Sequence, residues 1–163
     1  MTRDLLLLCG LWLCACGKDA SSEPSEPVSP CGAHSGVVQR VLDGDTIELS
    51  DATKIRYLQV NTPEISHAAD EVAECFGDDA KAFNESLVAG QTVTLEYDVG
   101  CTDRYGRTLA FVSVDGRMVN KLLVERGYGR VLIIEPNLKY ADEFRALEAE
   151  AQAQSAGLWG ACE

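Results

Sequence analysis

Three short stretches of this chain carry side chains suited to handling phosphate and water. They are Leu42-Asp43-Gly44-Asp45-Thr46, Ile55-Arg56-Tyr57-Leu58-Gln59-Val60-Asn61-Thr62-Pro63-Glu64, and Cys101-Thr102-Asp103-Arg104-Tyr105-Gly106-Arg107. Each sets a charged residue beside a turn-former, where a rigid scaffold presents groups to solvent. A planar guanidinium donates two parallel hydrogen bonds to phosphoryl oxygens and stabilises the charge that builds when a phosphodiester is attacked. Carboxylate, amide and carbonyl oxygens suit a hard divalent cation, which acts as a Lewis acid and gathers phosphate and water. A further carboxylate within ~3 Å of that water, directly or through a second water, takes its proton.

Taken singly, each residue has a duller role. Asp45 closes a hairpin, Arg56 is a solvated strand residue, and Glu64 with Arg107 forms a surface ion pair of little energetic consequence. In this order, spaced by one β-unit and then by a helix and a hairpin, the three segments form a far more specific pattern. Asp43 either supports a cation from behind or shapes the turn, and the sequence leaves the two level. His67, in the loop after Glu64, receives no role.

The elements that must position these groups are legible in the periodicity. Val37 to Leu42, Thr46 to Leu49 and Lys54 to Val60 read as strands, with Asp43-Gly44 and Ser50-Asp51 as turns between them. Arg56 alternates with Ile55 and Tyr57, so it projects from the opposite face of its strand. After a polar loop from Asn61 to Gly77, Asp78 and Asp79 open a helix that stops at Gly90. Gln91 to Asp98 alternates as a fourth strand, and Leu109 to Val114 is a fifth, apolar on both faces apart from Ser113. Val119, Leu122 and Leu123 mark a second helix. Tyr140, Phe144, Leu147 and Ala151 mark a third, closed by Gly157. Five strands with a helix after the third predict an α+β fold, a Greek-key barrel of the OB type with three helices.

The chain has 163 residues, with 14 Lys and Arg against 26 Asp and Glu, a net charge of −12. That excludes a continuous basic glove for nucleic acid, so any anion must be met by local arginines or a bound cation. Residues 1–15 read as a signal peptide, because Arg3 precedes an apolar run too short to span a bilayer. Leu13-Cys14-Ala15-Cys16 resembles a bacterial lipobox, which makes Cys16 the lipidation site. Residues 16–30, rich in Ser, Pro and Glu, are expected to form a solvated tether, followed by one domain over 31–163. Export is expected to place the protein on the cell envelope, at the outer membrane in a Gram-negative host, touching the membrane through its lipid alone. An ordinary cleaved signal with an incidental Cys16 would make it extracellular instead. In an oxidising compartment the remaining Cys31, Cys75, Cys101 and Cys162 suggest two disulfides with three possible pairings. The expected pairing is Cys31–Cys162, tying the domain ends, and Cys75–Cys101, tying two loops.

Over about residues 35 to 160 the sequence resembles the staphylococcal nuclease (thermonuclease) family. The resemblance rests on Asp43-Gly44-Asp45-Thr46, Thr62-Pro63-Glu64, Asp103-Arg104-Tyr105-Gly106-Arg107, Met118-Val119-Asn120 and Leu158-Trp159. It implies an OB-fold barrel with calcium-dependent phosphodiesterase activity on DNA and RNA, single strands preferred, leaving 3′-phosphate ends, and a monomer. By motif, Asp45 corresponds to a Ca2+ ligand, Asn61 stands where the family usually has a second carboxylate, and Thr62 offers its carbonyl. Arg56 and Arg107 correspond to the pair gripping the scissile phosphate, Glu64 to the group that orients or deprotonates water. Arg104 and Tyr105 match contacts to a neighbouring phosphate.

Two departures from the family shape the expectation. Asn61 keeps an oxygen but removes a charge, so calcium should bind more weakly than at a two-carboxylate site. Val131-Leu132-Ile133-Ile134-Glu135-Pro136 lacks the tyrosines that relatives place against a substrate base. The rival readings are a non-catalytic OB-fold module binding an oligonucleotide or other ligand, and a structural envelope platform. Neither uses Arg56, Glu64 and Arg107 together.

Overall fold

Alternating apolar residues separated by tight turns fold the first third of the domain into a meander of β1 (Ser35–Asp43), β2 (Thr46–Leu49) and β3 (Lys54–Tyr57). The computed structural model describes residues 29–66 and 72–162. After β3 come β4 (Gln59–Asn61), α1 (Gly77–Val88), β5 (Thr92–Glu96), β6 (Thr108–Val114) and β7 (Arg117–Met118). They are followed by α2 (Val119–Glu125), β8 (Arg130–Leu132), α3 (Ala141–Ala153) and the single turn α4 (Leu158–Ala161).

The sheet runs β3-β2-β1-β5-β6-β7, and a further pairing of β3 with β6 closes five of these strands into a barrel. That closing pair is parallel, with Arg56 opposite Leu109 and Tyr57 opposite Ala110. Closure removes the unpaired edges that an open sheet would expose. Ile47, Ile55, Val93 and Val112 fill the interior with Val88 of α1, Leu123 of α2 and Phe144 of α3, all fully buried. The apolar character of β6 on both faces is explained by α3: the ring of Phe111 meets Tyr140 edge-on at 4.9 Å and Phe144 at 6.1 Å. No helix among the described residues is long and apolar enough to cross a membrane.

The barrel and the three helices match expectation, but the strand read from Lys54 to Val60 is two strands. Gln59 adopts φ 61°, which turns the chain out of the barrel after Leu58. The residues beyond pair instead with β8, Gln59 opposite Leu132 and Asn61 opposite Arg130. Period-two hydrophobicity does not register such a break, because the side chains on both sides of it are buried. Asn120 fastens the same spot. Its Oδ1 accepts the Val112 N–H at 2.8 Å, and its Nδ2 donates to Leu58 O at 2.9 Å and Ala110 O at 3.3 Å.

Both disulfides exist, but the expected pairing is wrong. Cys31 bonds Cys101 and Cys75 bonds Cys162, with Cα atoms 4.9 Å and 5.9 Å apart. The antiparallel β1–β5 ladder decides the first, since it lays the chain before β1 against the chain after β5. There Leu95 N–H donates to His34 O at 2.7 Å and the Tyr97 hydroxyl donates to Ala33 O. The second follows from docking of the C-terminal turn beside the start of α1, with Leu158 N–H on Gly127 O at 2.8 Å and Tyr128 against Phe76. The signal, Cys16, the tether up to residue 28, and His67 lie outside the described residues.

Candidate active site

The β1–β2 turn aims the first acidic group inward. Asp43 Oδ1 accepts the Asp45 N–H at 2.9 Å, so Asp43 shapes the turn, and it also lines the cleft described below. Gly44 is needed because a Cβ there would fall 2.6 Å from Thr62 Oγ1. Thr62 can therefore lie close, and its N–H donates to Asp45 Oδ2 at 2.9 Å, while the Thr46 hydroxyl donates to Oδ1 at 3.2 Å. Asp45 is 5% exposed. Burial pushes its carboxyl up to about 7; Arg56 opposes that rise and Asp43 adds to it.

Arg56 owes its place to the strand break. Because the chain turns after Leu58, the carbonyls of Tyr57 and Val60 both face its guanidinium, accepting from Nη1 at 2.7 and 2.8 Å. Nη2 donates to Asn61 Oδ1 at 2.9 Å and pairs with Asp45 Oδ2 at 3.0 Å. Four protein acceptors thus hold the two terminal nitrogens, and the side chain is buried rather than reaching into solvent. Arg107 differs. Its Nε pairs with Asp103 Oδ2 at 2.7 Å, and Asp103 Oδ1 takes the main-chain N–H groups of Tyr105 and Arg107. Burial works against the Asp103 carboxylate, yet these bonds overcome it and hold its pKa below the usual value. Arg107 Nη1 reaches Thr46 Oγ1 at 3.5 Å, a long contact.

Arg56, Arg107 and Glu64 line one cleft of about 830 Å³, together with Asp45, Asn61, Arg104 and Tyr105. Glu64 is exposed at the rim. The Arg104 and Arg107 guanidinium groups both lie over the Tyr105 ring, 4.7 and 5.5 Å from its centroid, and Arg104 Nη2 also donates to the Tyr105 hydroxyl at 2.6 Å. The aliphatic Leu132 and Ile134, both exposed, also line the cleft.

Among the described residues no three His, Cys, Asp or Glu side chains are grouped to hold a metal. The candidate donors are all oxygens: the Asp45 carboxylate and the Asn61 amide, which line the cleft, and the carbonyl of buried Thr62, 3.5 Å from Asn61 Nδ2. Such a set fits a hard cation and not zinc. A buried carboxylate that one arginine does not fully compensate also favours a second positive charge.

Sequence reasoning passed over three contributors. Asp103, four residues before Arg107, was visible as an i,i+4 pair. Thr46 and Gln59 stand inside the motifs but receive no role from them, since their places depend on the strand break and the barrel register.

The profile of the family described as "Staphylococcal nuclease homologue" matches residues 54–161. The chain is 40% identical over 127 residues to Endonuclease YncB of Bacillus subtilis (strain 168), covering 75% of this chain and 60% of that protein. It is 38% identical over 127 residues to SPbeta prophage-derived endonuclease YokF of the same organism, covering 75% and 43%. With Thermonuclease of Staphylococcus hyicus the identity is 36% over 125 residues, covering 75% and 73%. The chain spans about half the length of the two Bacillus relatives.

Proposed function

Because the chain belongs to the staphylococcal nuclease family, we propose that it is a calcium-dependent endonuclease. It hydrolyses phosphodiester bonds of DNA and RNA, single strands ahead of duplexes, and leaves 3′-phosphate ends. The observation that carries this reading is the convergence of Arg56, Arg107 and Glu64, from separate stretches of backbone, on one cleft. Arg107, steadied at Nε by Asp103, directs its terminal nitrogens at the phosphoryl oxygens. Arg56 acts from behind, holding Asp45 and Asn61 in register while adding positive charge to the cleft floor. Asp45, Asn61 and the Thr62 carbonyl would hold calcium, which supplies Lewis acidity and charge neutralisation when bound. With one carboxylate where relatives have two, that site is weaker. Glu64 orients the attacking water and takes its proton. Arg104 and Tyr105 hold the neighbouring phosphate. The same reading makes the chain a monomeric lipoprotein, anchored through Cys16 to the envelope and reaching outward on residues 16–30.

The test is incubation of the full chain with single-stranded DNA or RNA, in calcium and in chelator. Cleavage that chelator abolishes, and that Glu64→Gln reduces by about 10²–10⁴-fold, is the expected result. Absence of cleavage by the unaltered chain at micromolar concentration would replace the enzyme with an OB-fold binding module.

A further inference from the structure

Glu64 is an exposed catalytic candidate on a loop, yet its main chain is pinned at both polar groups by one residue. Glu74 N–H donates to Glu64 O at 2.9 Å, and Glu64 N–H donates to Glu74 Oε2 at 3.0 Å. The start of α1 closes beneath: a Cβ on Gly77 would stand 2.4 Å from Glu64 O, so only glycine permits that approach. Glu74 is itself anchored on its C-terminal side. Cys75 is bonded to Cys162 at the end of α4, and the Phe76 ring lies 5.3 Å from that of Tyr128. The disulfide therefore lies one residue from the group that fixes Glu64, on the side of the molecule where the chain end docks.

We propose that Glu74 is a positioning residue for Glu64 and that the Cys75–Cys162 bond holds Glu74 in place, so that turnover depends on this disulfide while substrate binding does not. The inference rests on the role given to Glu64 above. A group that aligns water has strict positional demands, since a small misplacement costs rate rather than affinity. Grip on the substrate comes from Arg104, Tyr105 and Arg107, whose loop is tied down separately by Asp103 and by Cys101, the partner of Cys31.

Two measurements on the full chain decide it. Amide hydrogen exchange reads the clasp without catalysis. Exchange at Glu64 N–H should speed up about ten-fold in Glu74→Ala and in the double variant Cys75→Ser, Cys162→Ser, and stay slow in Glu74→Gln, whose amide oxygen still accepts. Nuclease kinetics read the consequence. In the first two variants kcat should fall about ten- to a hundred-fold with KM held within about two-fold, and Glu74→Gln should recover most of the rate. In a Glu64→Gln background neither change should lower the residual rate further. Unchanged exchange at Glu64, a loss that falls on KM, or equal losses in the Glu64→Gln background would each overturn the proposal. An unaltered chain without nuclease activity would remove the functional reading instead, and Glu64 exchange would still decide the clasp.

Discussion

Asp45 is the buried carboxylate of the cleft. Its carboxylate is buried against Arg56, with Asp43 nearby, and desolvation outweighs the ion pair so that the pKa rises from 3.8 to about 7. The folded protein then holds the Asp45 proton more tightly than the unfolded chain does. Stability from this group is present at low pH and is lost as pH rises from 3.8 to about 7. Denaturant unfolding of chelator-treated protein should show that decline, and saturating calcium should flatten it by stabilising the ionised form. A chelated protein whose stability rises across this window would contradict the assignment. At Arg56 the residue-scale lesson is burial: the sequence shows an arginine leaving a strand face, but not the four acceptors that hold it.

At the scale of elements, the site depends on a strand that stops after four residues. The turn at Gln59 lets β4 leave the barrel, wraps two carbonyls around Arg56, and delivers Asn61 to the Arg56 guanidinium and Thr62 to the Asp45 carboxylate. Asn120 holds that turn from α2 by bonding Leu58, Ala110 and Val112 at once. Asn120→Ala removes the side-chain partner of the Val112 N–H and the Leu58 carbonyl, whereas Ala110 O keeps the Leu58 N–H at 3.0 Å, and should destabilise the protein by about 2–4 kcal/mol. It should also lower activity more than an equally destabilising change in the distant core, such as Val93→Ala. Equal losses of activity at matched stability would show that Asn120 serves the fold alone.

For the whole molecule, charge and covalent ties set the terms. The domain from residue 31 carries 12 basic and 22 acidic side chains, so its long-range field repels nucleic acid. Contact then rests on the few arginines of the cleft. With Arg104 and Arg107 as the charged phosphate contacts and Arg56 held behind them, log KM against log salt should have a slope of magnitude about 1.4 for single strands, and shallower if repulsion is relieved by salt. A much steeper slope would reveal another basic surface. The disulfides work at this scale too, each tying a loop of the cleft to a distant part of the chain, Cys101 before Asp103 and Cys75 after Glu74.

Periodicity and turn chemistry by themselves determined the barrel strands and three helices, because burial of one face imposes a repeat that survives in the residue order. Motif order likewise singled out arginines and carboxylates that the fold brings to one cleft. Only the tertiary structure decided how they are used. The hand-over of β4 to β8 at Gln59 and the partners of the four cysteines join residues far apart in the chain, while the enclosure of Arg56 and the bonds from Glu74 to Glu64 rest on how the chain turns between nearer residues. Such contacts arise from barrel closure and from docking of the C-terminal turn, which bring together groups that no local repeat encodes.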